Sequence, residues 1–347
     1  LLVEAKLKNA NKLISKGHLI AWEQFRLPIS RFDLPFDSDS LFPTSLVYND
    51  NNIIFNGDEF SLSFSLENGF LNEFRYRNTK LFEGALKPFF WRAPTDNDLG
   101  NNMPERCLIW KNAHNELLLQ SLDTSSIGNI KQIKTIHFHE KSQSRLELSY
   151  SIFGNGIIKL KQAIYPSGAD YPELPRFGMK VTLPSSFSDF EWFGRGPHES
   201  YWDRKASAKV DRFSGKVWDQ TYKYVRPQET GNKTDVRWMS LYNGSIGIMV
   251  KGLPTFDGSV HHYDYDILDY TKDSQRHGKI DIKKGNQIDL LIDYKQMGVG
   301  GDNSWGAMTH SKYTLPMDTT IYNLEYAIIP FNKKNELEAL SRININD

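Results

Sequence analysis

Hydrophobic and polar residues alternate along most of this chain in short runs, and glycine, asparagine, proline or aspartate breaks the runs before they reach helical length. In "NIIFNGDEFSLSFSLENGFLNEFRYRNTKL" isoleucine, phenylalanine and leucine recur at every second position, and the interruptions fall at Asn56-Gly57 and Asn68-Gly69. A period of two broken by Asn-Gly predicts a meander of antiparallel strands. Further strands are predicted at "IKQIKTIHFHE", "SRLELSYSIFGNGIIKLKQAIYP", "RFGMKVTLP", "FEWFGRG", "VRWMSLYNGSIGIMVKG", "NQIDLLIDYKQMG" and "TIYNLEYAIIPF". Strands at regular spacing without interleaved helices predict an all-β fold, and so many of them predict a large antiparallel two-sheet sandwich. One helix is predicted from about Pro104, where proline suits the first turn, through "ERCLIWKNAHNELLL".

The first residues follow a different plan. "LLVEAKLK" and "IAWEQFRLPI" read as two strands around a turn, with Ala21, Glu23 and Phe25 on one face and Trp22, Gln24 and Arg26 on the other. Two strands make no core of their own. "PISRFDLPFDSDSLFPTS" has the proline, serine and aspartate content of a linker. The expected organisation is therefore a small piece over residues 1–30, a linker over 31–45 and one large domain over 46–347. The opening alternates like a strand already under way and lacks a Met, which predicts a fragment of a longer protein. It also lacks the charged, apolar and small-residue zones of a signal peptide, and no apolar run is long enough to span a membrane.

Charge narrows the partners. Lys+Arg 42 against Asp+Glu 42, with no long run of either sign, offers nothing to a phosphate backbone or an anionic membrane, so neither nucleic acid nor membrane is an expected partner. The single Cys107 excludes an intrachain disulfide and a cysteine-based zinc site within the chain. One cysteine suits the cytosol without excluding the periplasm, and the compartment stays open. Aromatic residues make up 13% of the chain, and most are expected to pack sheets.

Several stretches carry candidate chemistry. "FFWRAPTDNDLGNN" sets Asp96 and Asp98 beside aromatics and Arg92, a mixture that suits either a sugar site or a sheet-to-loop transition. Its two aspartates have calcium-loop spacing, but the later ligand positions do not match, and Asx turns or a helix cap are the alternative. "FGRGPHESYWDRKASAKVDRF" offers Glu199 and Asp203 as a glycosidase pair and His198 as a base, or else an ion-pair loop pinned by Arg195, Arg204 and Arg212. His137 and His139 share a strand face as metal ligands could, without a third ligand. Around His261 and His262, "VHHYDYDILDY" reads as a tyrosine-rich surface segment. "QMGVGGDNSWG" lacks the lysine and helix start of a phosphate loop, and its Trp305 is either a sugar-stacking face or a plug at the edge of the sandwich.

Four of these stretches, in order, resemble the LacZ-type β-galactosidases of glycoside hydrolase family 2. "FFWRAPTDNDLG" is similar to that family's aromatic-Trp/Thr-Arg-Ala-Pro-x-Asp-Asn-Asp-x-Gly signature, and "GRGPHESYWDR" to its Gly-x-Gly-Pro-x-Glu-x-Tyr-x-Asp-Arg block. "YVRPQETG" matches Tyr-x-x-Pro-x-Glu-x-Gly, and "MGVGGDNSW" matches Met-Gly-x-Gly-Gly-Asp-x-Ser-Trp. The resemblance covers residues 46 to the end and implies the family's last domain, the small chain of split enzymes, a supersandwich of galactose mutarotase type. Residues 1–30 resemble the tail of a preceding immunoglobulin-like sandwich.

The resemblance also implies what this chain lacks. The catalytic glutamates and the magnesium and sodium (or calcium) sites belong to an upstream TIM barrel, so no catalytic or metal-binding residue is expected here and the isolated chain is expected to be inactive. Trp305 matches the tryptophan that stacks on the aglycone side of a β-galactoside. Arg92, Asp96, Asp98 and Gly100 match the transition leading to the active-site mouth. The loop after Gly100, "NNMPERC", is shorter than the family's and carries no implied role. Any signal peptide, the oligomeric state and the contacts with barrel and sandwich would belong to the parent enzyme. The alternatives are a free-standing galactoside-binding module or a mutarotase-like epimerase, the latter requiring an acid and a base that converge on one sugar.

Overall fold

A computed structural model of the chain describes residues 1–29, 33–37, 41, 43–168, 170–269, 281–303 and 306–345. These residues fall into two compact units, 1–34 and 35–347. The smaller unit is a hairpin, β1 (Leu2–Lys6) against β2 (Leu19–Gln24), in register from Leu2 opposite Gln24 to Ala5 opposite Ala21. Of the expected linker, residues 31, 32, 38–40 and 42 lie outside the described set.

The larger unit is built almost wholly from antiparallel strands. A five-stranded meander runs through β3 (Ser45–Tyr48), β4 (Asn52–Asn56), β5 (Phe60–Ser65), β6 (Leu71–Tyr76) and β7 (Thr79–Lys80). Alternation decides its faces: Ile53, Phe55, Leu62, Phe64 and Phe74 are buried, and the Asn-Gly breaks become the two turns. The second sheet contains β8 (Lys87–Phe89), β9 (Leu117–Ile127), β10 (Ile130–His139), β11 (Ser144–Ile152), β12 (Ile158–Tyr165) and β13 (Arg176–Pro184). It continues with β14 (Asp189–Gly196), β15 (Lys209–Lys216), β16 (Lys233–Tyr242), β17 (Gly247–His261), β18 (Gln287–Gln296) and β19 (Tyr322–Phe331).

The long strand β17 joins two layers of this sheet. Its first half, Gly247–Gly252, pairs with β19, and its second half, Asp257–His261, pairs with β18. The β19 branch continues through β12, β11 and β10 to β9, while the β18 branch continues through β13 to β8. The two branches face each other, because the buried Gln162 of β12 donates to the Gly178 carbonyl of β13 at 3.2 Å. Gly178 serves the pairing of β13 with β18, whose register shifts there: a Cβ would lie 2.6 Å from the Ile292 carbonyl oxygen on β18. The meander covers the same core, with Phe64 edge-on to Tyr150 of β11 at 4.9 Å. A smaller apolar cluster on the opposite face packs Phe153, Trp238, Ile329 and Phe331 against Leu337 and Ile345 near the chain's end.

The structure corrects the expected helix. Residues 96–115 form short turns instead, α1 (Asp96–Gly100), α2 (Met103–Arg106) and two 3-10 turns at Leu108–Trp110 and Ala113–Asn115. Met103, Cys107 and Trp110 are buried at helical spacing, which is the signal the sequence carried. The helix stops because "ELLL" has another use: Leu117–Ile127 is β9, taken up along the edge of β10. Tertiary pairing overrides local propensity there.

Candidate functional site

The turn after β8 is fixed by its own side chains. Thr95 caps α1, its hydroxyl accepting from the Asp98 N–H at 3.1 Å, and the Asp98 carboxylate accepts from the Thr95 N–H at 2.9 Å. This reciprocal box holds Asp98 inward, where Arg92 meets it with a two-pronged bond: Nε to Oδ2 at 3.0 Å and Nη2 to Oδ1 at 2.7 Å. Both side chains are buried. Burial alone would pull the Arg92 pKa down, but Asp98 outweighs it and the guanidinium is held above its ordinary range.

Arg92 also grips the loop that begins at Met297. It donates to the carbonyls of Met297 and Gly298, the latter at 3.0 Å. Asn97 donates to the Val299 carbonyl at 2.9 Å, and the Asp203 carboxylate accepts from the Gly300 N–H at 2.8 Å. On the far side, Thr309 donates to the carbonyls of Gly298 and Gly300 at 3.0 Å. Gly306 has φ +106°, and a Cβ on it would lie 2.8 Å from the Gly100 carbonyl oxygen. Glycine is therefore required where this loop returns past α1. Trp305 itself, with Ser304, lies outside the described residues. Asp96 is exposed, yet it exchanges bonds with Gln228: its N–H donates to Oε1 at 3.3 Å and its carboxylate accepts from Nε2 at 3.1 Å.

The other acids of the motifs are committed to protein partners. Glu199 accepts from Arg204, the Tyr224 hydroxyl, Thr230 Oγ1 at 3.1 Å and the Gly231 N–H at 2.8 Å. His198 stands apart, its ring bonded to Ser207 at 2.9 Å. Arg195 pairs with Asp235 and Arg212 with Glu191, so this stretch is an ion-pair loop. His137 bonds the Asn68 carbonyl and stacks on Phe70, while His139 bonds Ser142 and Glu116. Among the described residues no three His, Cys, Asp or Glu side chains converge as metal ligands.

A second buried ionic cluster lies behind the motifs, and sequence reasoning missed it. Glu229 accepts from Arg176 at 2.9 Å, from the Tyr265 hydroxyl and from Gln296 at 3.2 Å, and Asp293 sits 3.7 Å from Arg176 Nε. The signal was available, since an aspartate inside the apolar run "IDLLIDY" and an arginine opening "RFGMKV" are costly in a buried strand unless paired. The expected surface segment after His261 is corrected by the same cluster: His261, Tyr263, Tyr265 and Leu268 are buried. Tyr263 meets Thr221 at 3.1 Å and Tyr265 meets Glu229, so both phenols enter the core with their hydroxyls satisfied.

Burial raises the Asp293 carboxyl to about 7 despite Arg176, and it raises Asp257 on β17 to about 8, helped by Asp235 and Asp293 and opposed by Lys295 and the Asp235 N–H. A carboxyl that holds its proton more tightly in the folded state makes the fold less stable as pH rises from the ordinary carboxylate range to the raised value. Asp257→Asn keeps the bond from the Asp235 N–H, at 3.0 Å in the parent, and removes the charge. The variant is expected to gain on the parent between pH 5 and pH 8, by up to about 1.4 kcal/mol per pH unit. Urea midpoints at both pH values measure this, and equal differences at the two would refute the assignment.

The four motifs meet around one cleft of about 200 Å³, lined by residues that include Asp96 and Asn97, Tyr201 and Arg204, Gln228 and Val299. The chain is 34% identical over 316 residues to a β-galactosidase of Priestia megaterium, covering 91% of this chain and 30% of that protein. It is 30% identical to a β-galactosidase of Halalkalibacterium halodurans over 90% of this chain and 31% of that one. The chain thus spans about a third of the length of these relatives. A galactose 1-epimerase from Lactobacillus acidophilus shares 9% identity at a TM-score of 0.48, covering 84% of this chain and 99% of that one. The profile of the family described as "Beta galactosidase small chain" matches residues 56–328, and the chain belongs to that family.

Proposed function

We propose that this chain is the part of a β-galactosidase of glycoside hydrolase family 2 that completes the aglycone side of the active site, with the indole of Trp305 as the stacking face. The bond-breaking glutamates, and magnesium and sodium (or calcium), are supplied by an upstream TIM barrel, and residues 1–30 close a preceding immunoglobulin-like sandwich. The retaining chemistry belongs to the parent enzyme, and the chain alone is inactive.

The observation that carries this reading is the fastening of the loop before Trp305. Arg92, Asn97 and Asp203, from two other motifs, bond four consecutive residues of it, Met297 to Gly300. A loop whose backbone is fastened as far as Gly300 has less left to order at the moment of binding, which favours selection of the leaving group. In the whole enzyme, Trp305→Ala is expected to weaken aglycone binding about tenfold, the worth of one aromatic contact. Hydrolysis of an activated galactoside with a poor stacking group should change less. Identical kinetics with stacking and non-stacking aglycones in the variant and the parent would refute the role.

A further inference from the structure

We propose that the cleft between β8 and β13 is a binding site for one small tetrahedral oxyanion, a phosphate or a sulfate group. The pairing of these strands sets Lys87 directly opposite Lys180. Like charges placed so repel unless each is answered. Lys180 is answered within the protein, by Asp289 and Asp266 at 3.1 Å and by Asp264 at 3.6 Å. The Lys87 ammonium has no partner among the described residues.

Neutral donors share the cleft with that charge. Gly84, Ala85, Lys87 and His114 line it, and each keeps part of its surface exposed. The chain bends at Glu83 and Gly84 before it enters β8. The Glu83 N–H donates to the Thr182 carbonyl and the Leu86 N–H to the Leu71 carbonyl, each at 2.8 Å, while those of Gly84 and Ala85 bond nothing among the described residues. Consecutive free N–H groups in a bend, beside an ammonium, form an anion-binding concavity. Neither ring nitrogen of His114 has a hydrogen-bond partner among the described residues; Nδ1 is buried, and Nε2 is the one within a ligand's reach. Of the acids nearby, Asp264 and Asp266 are more than half exposed, where water and salt screen them, and Glu116 is spent on Lys141 and His139. The volume of about 200 Å³ equals roughly seven waters at ~30 Å³ each, enough for a compact anion and below the usual range for a drug-sized ligand. Burial and Lys87, joined by Lys180 and opposed by Asp266 and Glu116, hold the His114 imidazole below its usual range, and a bound anion would offset both lysines and raise it. The proposal does not depend on the aglycone role of Trp305.

The test is a titration of the full chain with inorganic phosphate and with methyl phosphate at pH 7, read by the NMR shift of the His114 ring proton, with chloride at matched ionic strength as control. Saturable binding of inorganic phosphate is expected. Binding of methyl phosphate as well would mark the ligand as a phosphate group carried on a larger molecule, and its exclusion would mark the free anion. Sulfate, whose charge is constant near neutrality, should raise the pH at which the His114 ring titrates. Lys87→Met should weaken phosphate binding about tenfold or more, the worth of one charged hydrogen bond. It relieves the repulsion with Lys180, so its urea midpoint without phosphate should equal or exceed the parent's. Lys87→Arg should retain binding. A response that chloride reproduces, binding undiminished in Lys87→Met, or a His114 titration that sulfate does not move would overturn the proposal.

Discussion

Replacing Arg92 with alanine is expected to cost the larger unit about 3–5 kcal/mol of stability, because it strands the Asp98 carboxylate in a site that is 2% exposed. The same change frees the carbonyls of Met297 and Gly298. Arg92→Lys keeps a charge but not the planar fork that meets both carboxylate oxygens, and it should recover only part of the loss. Arg92→Met with Asp98→Asn removes both charges and should recover more than either single change. Urea unfolding of the three variants separates these effects. A loss below about 1 kcal/mol in Arg92→Ala would mean that water reaches the site and that the loop is not anchored through it.

The second large effect is expected at Arg176. Its removal leaves Glu229 and Asp293 buried together, and Arg176→Met should again lose about 3–5 kcal/mol at pH 8. The sign of the pH dependence follows from the chemistry. Without the guanidinium, which opposes the effect of burial, the Asp293 carboxyl holds its proton more tightly still in the folded state. The deficit relative to the parent should therefore shrink at pH 5, where protonation removes the buried charge, and grow as pH rises. Denaturant midpoints at pH 5 and pH 8 decide it, and a deficit independent of pH would mean that Arg176 does not hold down the Asp293 carboxyl in the parent. Arg176→Met, Glu229→Gln and Asp293→Asn combined should restore most of the stability at either pH.

The parts of this fold that were legible in the sequence are those where one face of a strand is buried and the turn is local. Asn56-Gly57 and Asn68-Gly69 became turns, and "RFGMKVTLP" is β13 from its first residue to its last. Period two survives folding because the pleat imposes it. The helix over 104–119 failed because Met103, Cys107 and Trp110 have the spacing of a helix, while the following leucines were claimed by an edge that lies beyond them in the chain. The second half of β17 was missed for a related reason: its run "TFDGSVH" carries an aspartate and a histidine, and only the pairing with β18 explains why they lie inside. The site divided the same way. Its four segments were visible as motifs, while the pairing of Arg92 with Asp98 emerged only from the structure. The cluster of Arg176, Glu229, Tyr265 and Asp293 was not visible, since its members come from four separate stretches and meet only when the layers close.

The strand order has a consequence in time. β19 lies in the interior of the large sheet, with Ile158 of β12 and Val250 of β17 on either side of Ile328. During synthesis, β12 and β17 emerge long before the strand that separates them, and until it arrives each presents an unpaired edge. Pairings so distant in sequence form slowly, and open edges in the interval recruit other chains. Growing polypeptides crowded on one message would thus be most prone to clump just before residues 322–331 leave the ribosome, and a stop codon ahead of them would yield aggregate rather than a shortened sandwich.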